Sequence, residues 1–364
     1  MRVPLFRPAI REEAAEAAAR VLRSGWIGSG PVTEEFEQAF ARYVGAPHAV
    51  AVSSCTTALQ LALRVLDLPE GVEVITSPVT FISAAQVIVQ ERLRPVFADV
   101  DPETGNLDVD SVRARLTDRT GTVIPLHYGG RPCDLDELYA LGVAVVEDCA
   151  HAAGATYKGR RIGSHGSLHA FSFNAVKNLP APGGGALTLG SEEHDARLRR
   201  LRVLGLSSDT FTRARTGAYT WAYDVRELGL RATMSDVEAA VALAQLRYLD
   251  ADNARRAEIA AHYRRELAAV PGLRLLREVE PDRTSSNHLF CVLAEERDRL
   301  VERLREAGVD SSVHYRRNDT YELFEEQDLP GAERFASRVV SLPLFVELTD
   351  EQVDYVVEVV RGGW

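Results

Sequence analysis

From about residue 49 onward the chain alternates short apolar runs with stretches of helical period, and no other feature restricts its fold as much. AVAV (49–52) reads as a strand and is followed by a helix from about 55 to 66. EVIT (73–76), a helix in FISAAQVIVQ (81–90) and the strand-like RPVFADV (94–100) continue the rhythm. TGTVIPL (120–126), LDELYALG (135–142) and VAVVED (143–148) repeat it. Strands alternating with helices predict an α/β fold, with a mainly parallel sheet and right-handed crossovers. Ligands of such sheets sit beyond the carboxyl ends of the strands. Upstream, residues 11–24 and 33–44 carry helical period on either side of the Gly-rich GWIGSGP. Downstream, residues 234–270 read as two successive helices, and the remainder mixes a strand in HLFCVLA (288–294) with a helix over 298–308. In a chain of 364 residues this predicts a large domain over 1–245 and a smaller α+β domain over 246–364.

Composition narrows the function. A net charge of −11 disfavours nucleic acid as a partner, because polyphosphate binding wants a basic surface. No run approaches the roughly 20 apolar residues of a membrane helix. The N-terminus turns charged and amphipathic at once, unlike a secretory signal, so a cytoplasmic setting is expected. Cys55, Cys133, Cys149 and Cys291 are scattered without a CxxC pair, which predicts neither a metal centre nor a disulfide framework. Of 42 basic residues only Lys158 and Lys177 are lysine. Arginine has taken nearly every role either cation can fill, so a retained lysine is a candidate for work that needs a primary amine. An amine can lose its proton and form a Schiff base, whereas guanidinium stays charged.

Five positions fall at or after predicted strand ends. SSCTTAL (53–59) sets small hydroxyl residues where a helix start turns free amides towards an anion; plain capping by Ser53 or Ser54 accounts for the same residues. Asp148 closes VAVVED and precedes His151 by three residues. It caps the next helix or, in a pyridoxal-phosphate (PLP) site, pairs with the pyridine nitrogen and keeps the ring an electron sink. His151 then meets the ring's phenolate oxygen. In FSFNAVKNLPAPGGG (171–185), Ser172 and Lys177 are spaced so that a hydroxyl touches the phosphate while the amine reaches the aldehyde. Phe81 in SPVTFISA offers a flat apolar face for stacking. Arg231 stands before a helix in RELGLRATMSDVEAAVALAQL (226–246).

The order of these elements resembles the DegT/StrS nucleotide-sugar aminotransferases of PLP fold type I. The likeness runs from RPAI and SGWIGSGPVTEEFEQAFARYVGAPHAVAVSSCTTALQLAL through PVFADVDPETGNLD, IPLHYGGRPCDLD, VVEDCAHAAGATYKGRRIG and FSFNAVKNL to MSDVEAAVALAQL, VHYRRN and SLPLF. It implies a seven-stranded-type sheet in the large domain and a homodimer with its active sites at the interface. It implies Lys177 as the Schiff-base lysine, Asp148 as the pyridinium partner and His151 beside the ring oxygen. Thr56 and Ser172 resemble the phosphate ligands and Phe81 the stacking ring. Cys55 and Asn174 stand in the same cofactor-binding segments where glycine and histidine are common, and Arg231 stands where an amide or amine reaches the partner's phosphate. Trp26, Ile27, His314 and Tyr315 fall in segments that line the substrate side.

The resemblance implies transfer of an amino group from glutamate or glutamine to a keto-sugar, a nucleotide-linked 4-keto-6-deoxyhexose. Amination at C4 rather than C3 follows from FSFNAVK, because 3-aminating relatives carry Tyr-Pro-Gly before the lysine. Relatives that dehydrate at C3 carry histidine at the lysine position, so Lys177 speaks against dehydration. Two alternatives keep the cofactor: amination of a keto-cyclitol of an aminoglycoside pathway, and a PLP-binding regulatory protein without turnover.

Overall fold

A computed structural model describes residues 1–215 and 223–364. Seven strands form the central sheet: β1 (His48–Val52), β2 (Glu73–Thr76), β3 (Arg94–Phe97), β4 (Thr120–Ile124), β5 (Ala144–Asp148), β6 (Leu168–Ser172) and β7 (Gly185–Leu189). Their order is β1-β7-β6-β5-β4-β2-β3. The pairs β2–β3, β2–β4, β4–β5 and β5–β6 are parallel, and β7 runs antiparallel to both β1 and β6. The fold is therefore α/β with a mainly parallel sheet, as the alternation predicts. The reversed strand is absent from the sequence reading and has a local cause. Residues 173–184 contain no helix to carry a crossover, so the chain returns beside β6 with Gly185 opposite Ser172.

Both faces of the sheet are covered, which is why β2, β6 and β7 are buried along their whole length. On one face Phe171 and Phe173 pack against Phe36 and Phe40 of α2 (Pro31–Val44), the helix after α1 (Glu12–Ser24). On the other, Leu168 and Ala170 meet Leu59 and Leu63 of α3 (Cys55–Val65) and Ala84 and Val87 of α4 (Ser83–Gln90). Alternate residues of one strand thus feed two cores. Helix α5 (Asp236–Leu246) opens with a Ser235–Glu238 capping box. Its Asp236 accepts hydrogen bonds from the amides of Gly30 (2.8 Å) and Thr33 (2.9 Å) and from the Thr33 hydroxyl (2.7 Å). This carboxylate holds the start of α2 and with it the Gly-rich loop.

The C-terminal part has its own antiparallel sheet of β8 (Leu273–Leu275), β9 (Phe290–Ala294) and β10 (Val339–Leu342). Helices α6 (Leu249–Leu267), α7 (Arg297–Glu306) and α8 (Asp350–Arg361) supply Tyr263, Leu300 and Val356 to its core. Val3 joins that core by pairing with Val309, so the first residues of the chain belong with its end. We propose the domain boundary in the turn between α5 and α6, where a core packed on the central sheet gives way to this one. Among the described residues no helix is long and apolar enough to cross a membrane.

Candidate active site

A cavity of about 390 Å³ lies beyond the carboxyl ends of β1, β5 and β6. Its floor begins at the β1–α3 junction. Ser54 caps α3, its Oγ accepting from the Thr57 amide at 3.1 Å, which leaves earlier first-turn amides without a helical partner. Thr56 and Ser172 line the same end of the cavity. Gly185 permits this closeness, because a Cβ there would stand 2.6 Å from the Cys55 nitrogen, the Ser54 carbonyl carbon and the Phe171 oxygen. Amides, hydroxyls and the helix dipole together make a cradle for a phosphate.

Asp148 and Lys177 face the cavity from the ends of β5 and of the loop after β6. Asp148 is 4% exposed; its Oδ1 accepts from the Ala150 amide at 3.0 Å and lies 3.8 Å from Cys55 Sγ. Burial pushes its carboxyl above the ordinary aspartate value, outweighing the pull of the Ala150 amide and of Lys177. Lys177 is half-buried, and burial lowers its amine below the ordinary lysine value despite the opposing pull of Asp148. Behind Asp148, on the other face of β5, Glu147 takes hydrogen bonds from His127 Nε2 (3.0 Å) and Tyr139. Burial would raise the Glu147 carboxyl, but His169 and His127 outweigh it and hold it below its ordinary value. His127 also donates its amide to the Asp148 carbonyl at 3.2 Å, so this buried network braces the strand end.

The opposite wall is aromatic. His151 Nδ1 accepts from the Gly129 amide at 3.3 Å, so its Nε2 carries the proton and donates to the Tyr315 hydroxyl at 3.0 Å. Burial, then Lys177, pushes His151 well below the usual histidine range, and burial takes His314 down to about 4. Both imidazoles are neutral at physiological pH. Phe81 stands at the mouth, 59% exposed, with its ring 6.4 Å from that of Tyr315. A large apolar ring left open at a cavity mouth suits stacking on a flat ligand.

The structure brings ten of the sequence-predicted residues to this one cavity: Cys55, Thr56, Phe81, Asp148, His151, Ser172, Asn174, Lys177, His314 and Tyr315. Three others lie elsewhere in the chain. Trp26 donates Nε1 to the Ser29 carbonyl at 3.1 Å and packs edge-on to Phe211, beside an exposed Ile27. Arg231 is exposed, and its backbone pairs with Val203. The second lysine, Lys158, is a surface residue paired with Asp136, whereas Lys177 lines the cavity. Phe6 and His288 are among the cavity residues that the sequence reading did not single out. Phe6 arrives with the N-terminal segment, and His288 precedes β9, where it reads as the start of a strand.

The cavity fits PLP on its own chemistry. It offers an anion cradle at one end, and among the described residues it offers a buried carboxylate whose Oδ2 has no hydrogen bond and an amine without an ion pair. Phosphate, pyridinium and aldehyde complement these in that order. Comparison with known proteins agrees. The profile of the DegT/DnrJ/EryC1/StrS aminotransferase family matches residues 8–361. The chain is 39% identical to the spore coat polysaccharide biosynthesis protein SpsC of Bacillus subtilis (strain 168), over 99% of this chain and 96% of that one. The crystal structure of AtS13 from Actinomadura melliaura superposes with a TM-score of 0.93 at 38% identity, covering 100% of both chains. The sugar aminotransferase CalS13 from Micromonospora echinospora gives a TM-score of 0.92 at 34% identity, again covering 100% of both.

Proposed function

The chain belongs to the DegT/DnrJ/EryC1/StrS aminotransferase family and depends on PLP, and from that premise we propose that it aminates a keto-sugar. The acceptor is a nucleotide-linked 4-keto-6-deoxyhexose, the donor is glutamate or glutamine, and the amine is delivered to C4. The observation that carries the reading is the meeting of Lys177 and Asp148 in one cavity whose opposite wall is made of aromatic rings and neutral imidazoles. Similarity to a polysaccharide biosynthesis protein and to a sugar aminotransferase supports the sugar.

Bound PLP supplies an electrophilic aldehyde and an electron sink. Lys177 would hold the cofactor covalently and would move the proton at the substrate carbon; its lowered affinity for a proton suits a base at neutral pH. Asp148 keeps the pyridine nitrogen protonated. Thr56, Ser172, Cys55 and Asn174 seat the phosphate end, Phe81 covers the ring and His151 stands at its phenolic edge. His314 and Tyr315 face the sugar. Arg231 and the Trp26–Ile27 loop, which lie outside this chain's own cavity, serve the site of a second copy in a homodimer.

Purified protein given PLP should fix the cofactor's mass on the Lys177 peptide after borohydride reduction, and Lys177→Ala should not. In the unreduced enzyme, glutamate or glutamine should bleach the bound cofactor, and dTDP- or UDP-4-keto-6-deoxyglucose should restore it with a 4-amino product by NMR. Reducible attachment in Lys177→Ala, or an amine at C3, would refute the corresponding part of the reading.

A further inference from the structure

We propose that His288 is a substrate-binding residue, accepting through Nε2 a hydrogen bond from a hydroxyl of the keto-sugar; this rests on the sugar reading above. The case begins at Asn178, the residue after Lys177. Its amide nitrogen donates to Asn253 Oδ1 (2.7 Å) and to the Ser286 carbonyl (2.7 Å), which uses both of its protons. Oδ1 is therefore the end that meets His288 Nδ1 at 2.9 Å, and Nδ1 must carry the proton. A second proton on the ring is disfavoured, because His288 is buried and has no carboxylate within ion-pair distance among the described residues. Its near neighbours include His151, Lys177 and Arg256. Nε2 is left as a bare lone pair with no hydrogen bond among the described residues.

The ring is also held still. Its amide donates to the Gly129 carbonyl at 2.9 Å, Phe6 stacks on it at 6.0 Å with planes 10° apart, and His151 packs at 4.4 Å. It lines the cavity that holds Lys177 and Asp148. His151 has both nitrogens engaged, and the tautomer of His314, whose ring among the described residues meets Ser341 Oγ at 2.7 Å through Nδ1, is open. His288 is thus the cavity imidazole whose role geometry decides: an oriented, uncharged acceptor. Such a group repels carboxylate oxygens and selects a donor. The sugar brings several hydroxyl donors, whereas glutamate brings two carboxylates and the amine that is consumed, and glutamine adds a single side-chain amide as a donor.

Two variants separate the two ring nitrogens. His288→Asn keeps an N–H where Nδ1 stands and removes Nε2. His288→Gln places an amide near Nε2, whose oxygen can accept, and gives up the bond to Asn178. With dTDP- and UDP-4-keto-6-deoxyglucose as probes, His288→Asn should lower kcat/KM for the sugar by about tenfold. His288→Gln should lose less, and glutamate loading should stay near wild type in both. The second readout is ¹⁵N NMR of histidine-labelled holoenzyme. The signal missing in His288→Asn should be an Nδ1–H tautomer whose unprotonated Nε2 moves upfield when the keto-sugar is added. Equal damage to both half-reactions, an Nε2–H tautomer, or an unchanged kcat/KM in His288→Asn would each overturn the proposal. A wild-type enzyme that glutamate loads but no keto-sugar unloads would overturn the sugar reading itself, and His288 as a sugar ligand with it.

Discussion

At the scale of single residues, Asp148 is a buried acid whose native protonation differs from that of the unfolded chain. Its carboxyl titrates above the ordinary aspartate range, so the folded protein holds this proton more tightly than the unfolded chain does. Its contribution to stability is present at acid pH and is lost as pH rises through the raised value. Without cofactor, Asp148→Asn should therefore raise the thermal midpoint at pH 7 to 8. With cofactor, the variant should slow the glutamate half-reaction by roughly 10²- to 10³-fold, the scale of one oriented electrostatic partner in a closed site. Stopped-flow absorbance and calorimetry check the two halves. A variant with normal turnover, or a less stable apoprotein, would contradict them. Asp148 and Lys177 were legible in sequence because each has a local signature, an acid ending an apolar strand and one of two lysines in an arginine-rich chain. His288 had none, since the hydrogen bond that sets its tautomer comes from a residue 110 positions away.

At the scale of elements, the site depends on how closely β7 approaches the start of α3. Gly185→Ala would push a Cβ to 2.6 Å from backbone atoms of Ser54, Cys55 and Phe171, none of which is a flexible side-chain end. The phosphate cradle must then open, and cofactor affinity should fall by about 2 kcal/mol or more, roughly thirtyfold. Gly190→Ala, one residue past the far end of the same strand, meets nothing within 4 Å and serves as the control. Equal cofactor titration curves for the two variants would rule out this account. The parallel strands and their helices were readable because periodicity is a local property. The reversal of β7 was not, because a strand buried on both faces looks the same in either direction.

For the molecule as a whole, acid should be the weak flank. His151, His288 and His314 all titrate below the ordinary histidine value of 6.5, in each case chiefly through burial. The unfolded chain binds these protons first, so their stabilisation is present above about 6.5 and lost as pH falls, towards about 4 for His314. Urea midpoints of the apoprotein should drop between these values, with a shallower slope in His314→Gln; an unchanged slope would exclude His314 from the effect. Assembly is tested by mixing subunits. If Arg231 serves the partner's cofactor, a heterodimer of Arg231→Ala and Lys177→Ala chains has one site with both defects and one intact. About half of wild-type activity per dimer should return, and none if Arg231 serves its own site.

The sequence by itself determined the alternation of strands and helices, the strand ends where chemistry could sit, and the family likeness with its lysine and aspartate. These rest on patterns spanning a few residues, which local backbone preference and hydrophobic period impose. Only the tertiary structure decided that Phe6, His288 and His314 share a wall facing Lys177, and that Arg231 and the Trp26–Ile27 loop lie outside that cavity. It also decided that Asn178 sets the protonated nitrogen of His288. Those facts depend on which distant segments pack together, and burial then selects the charge state of each group that packing encloses.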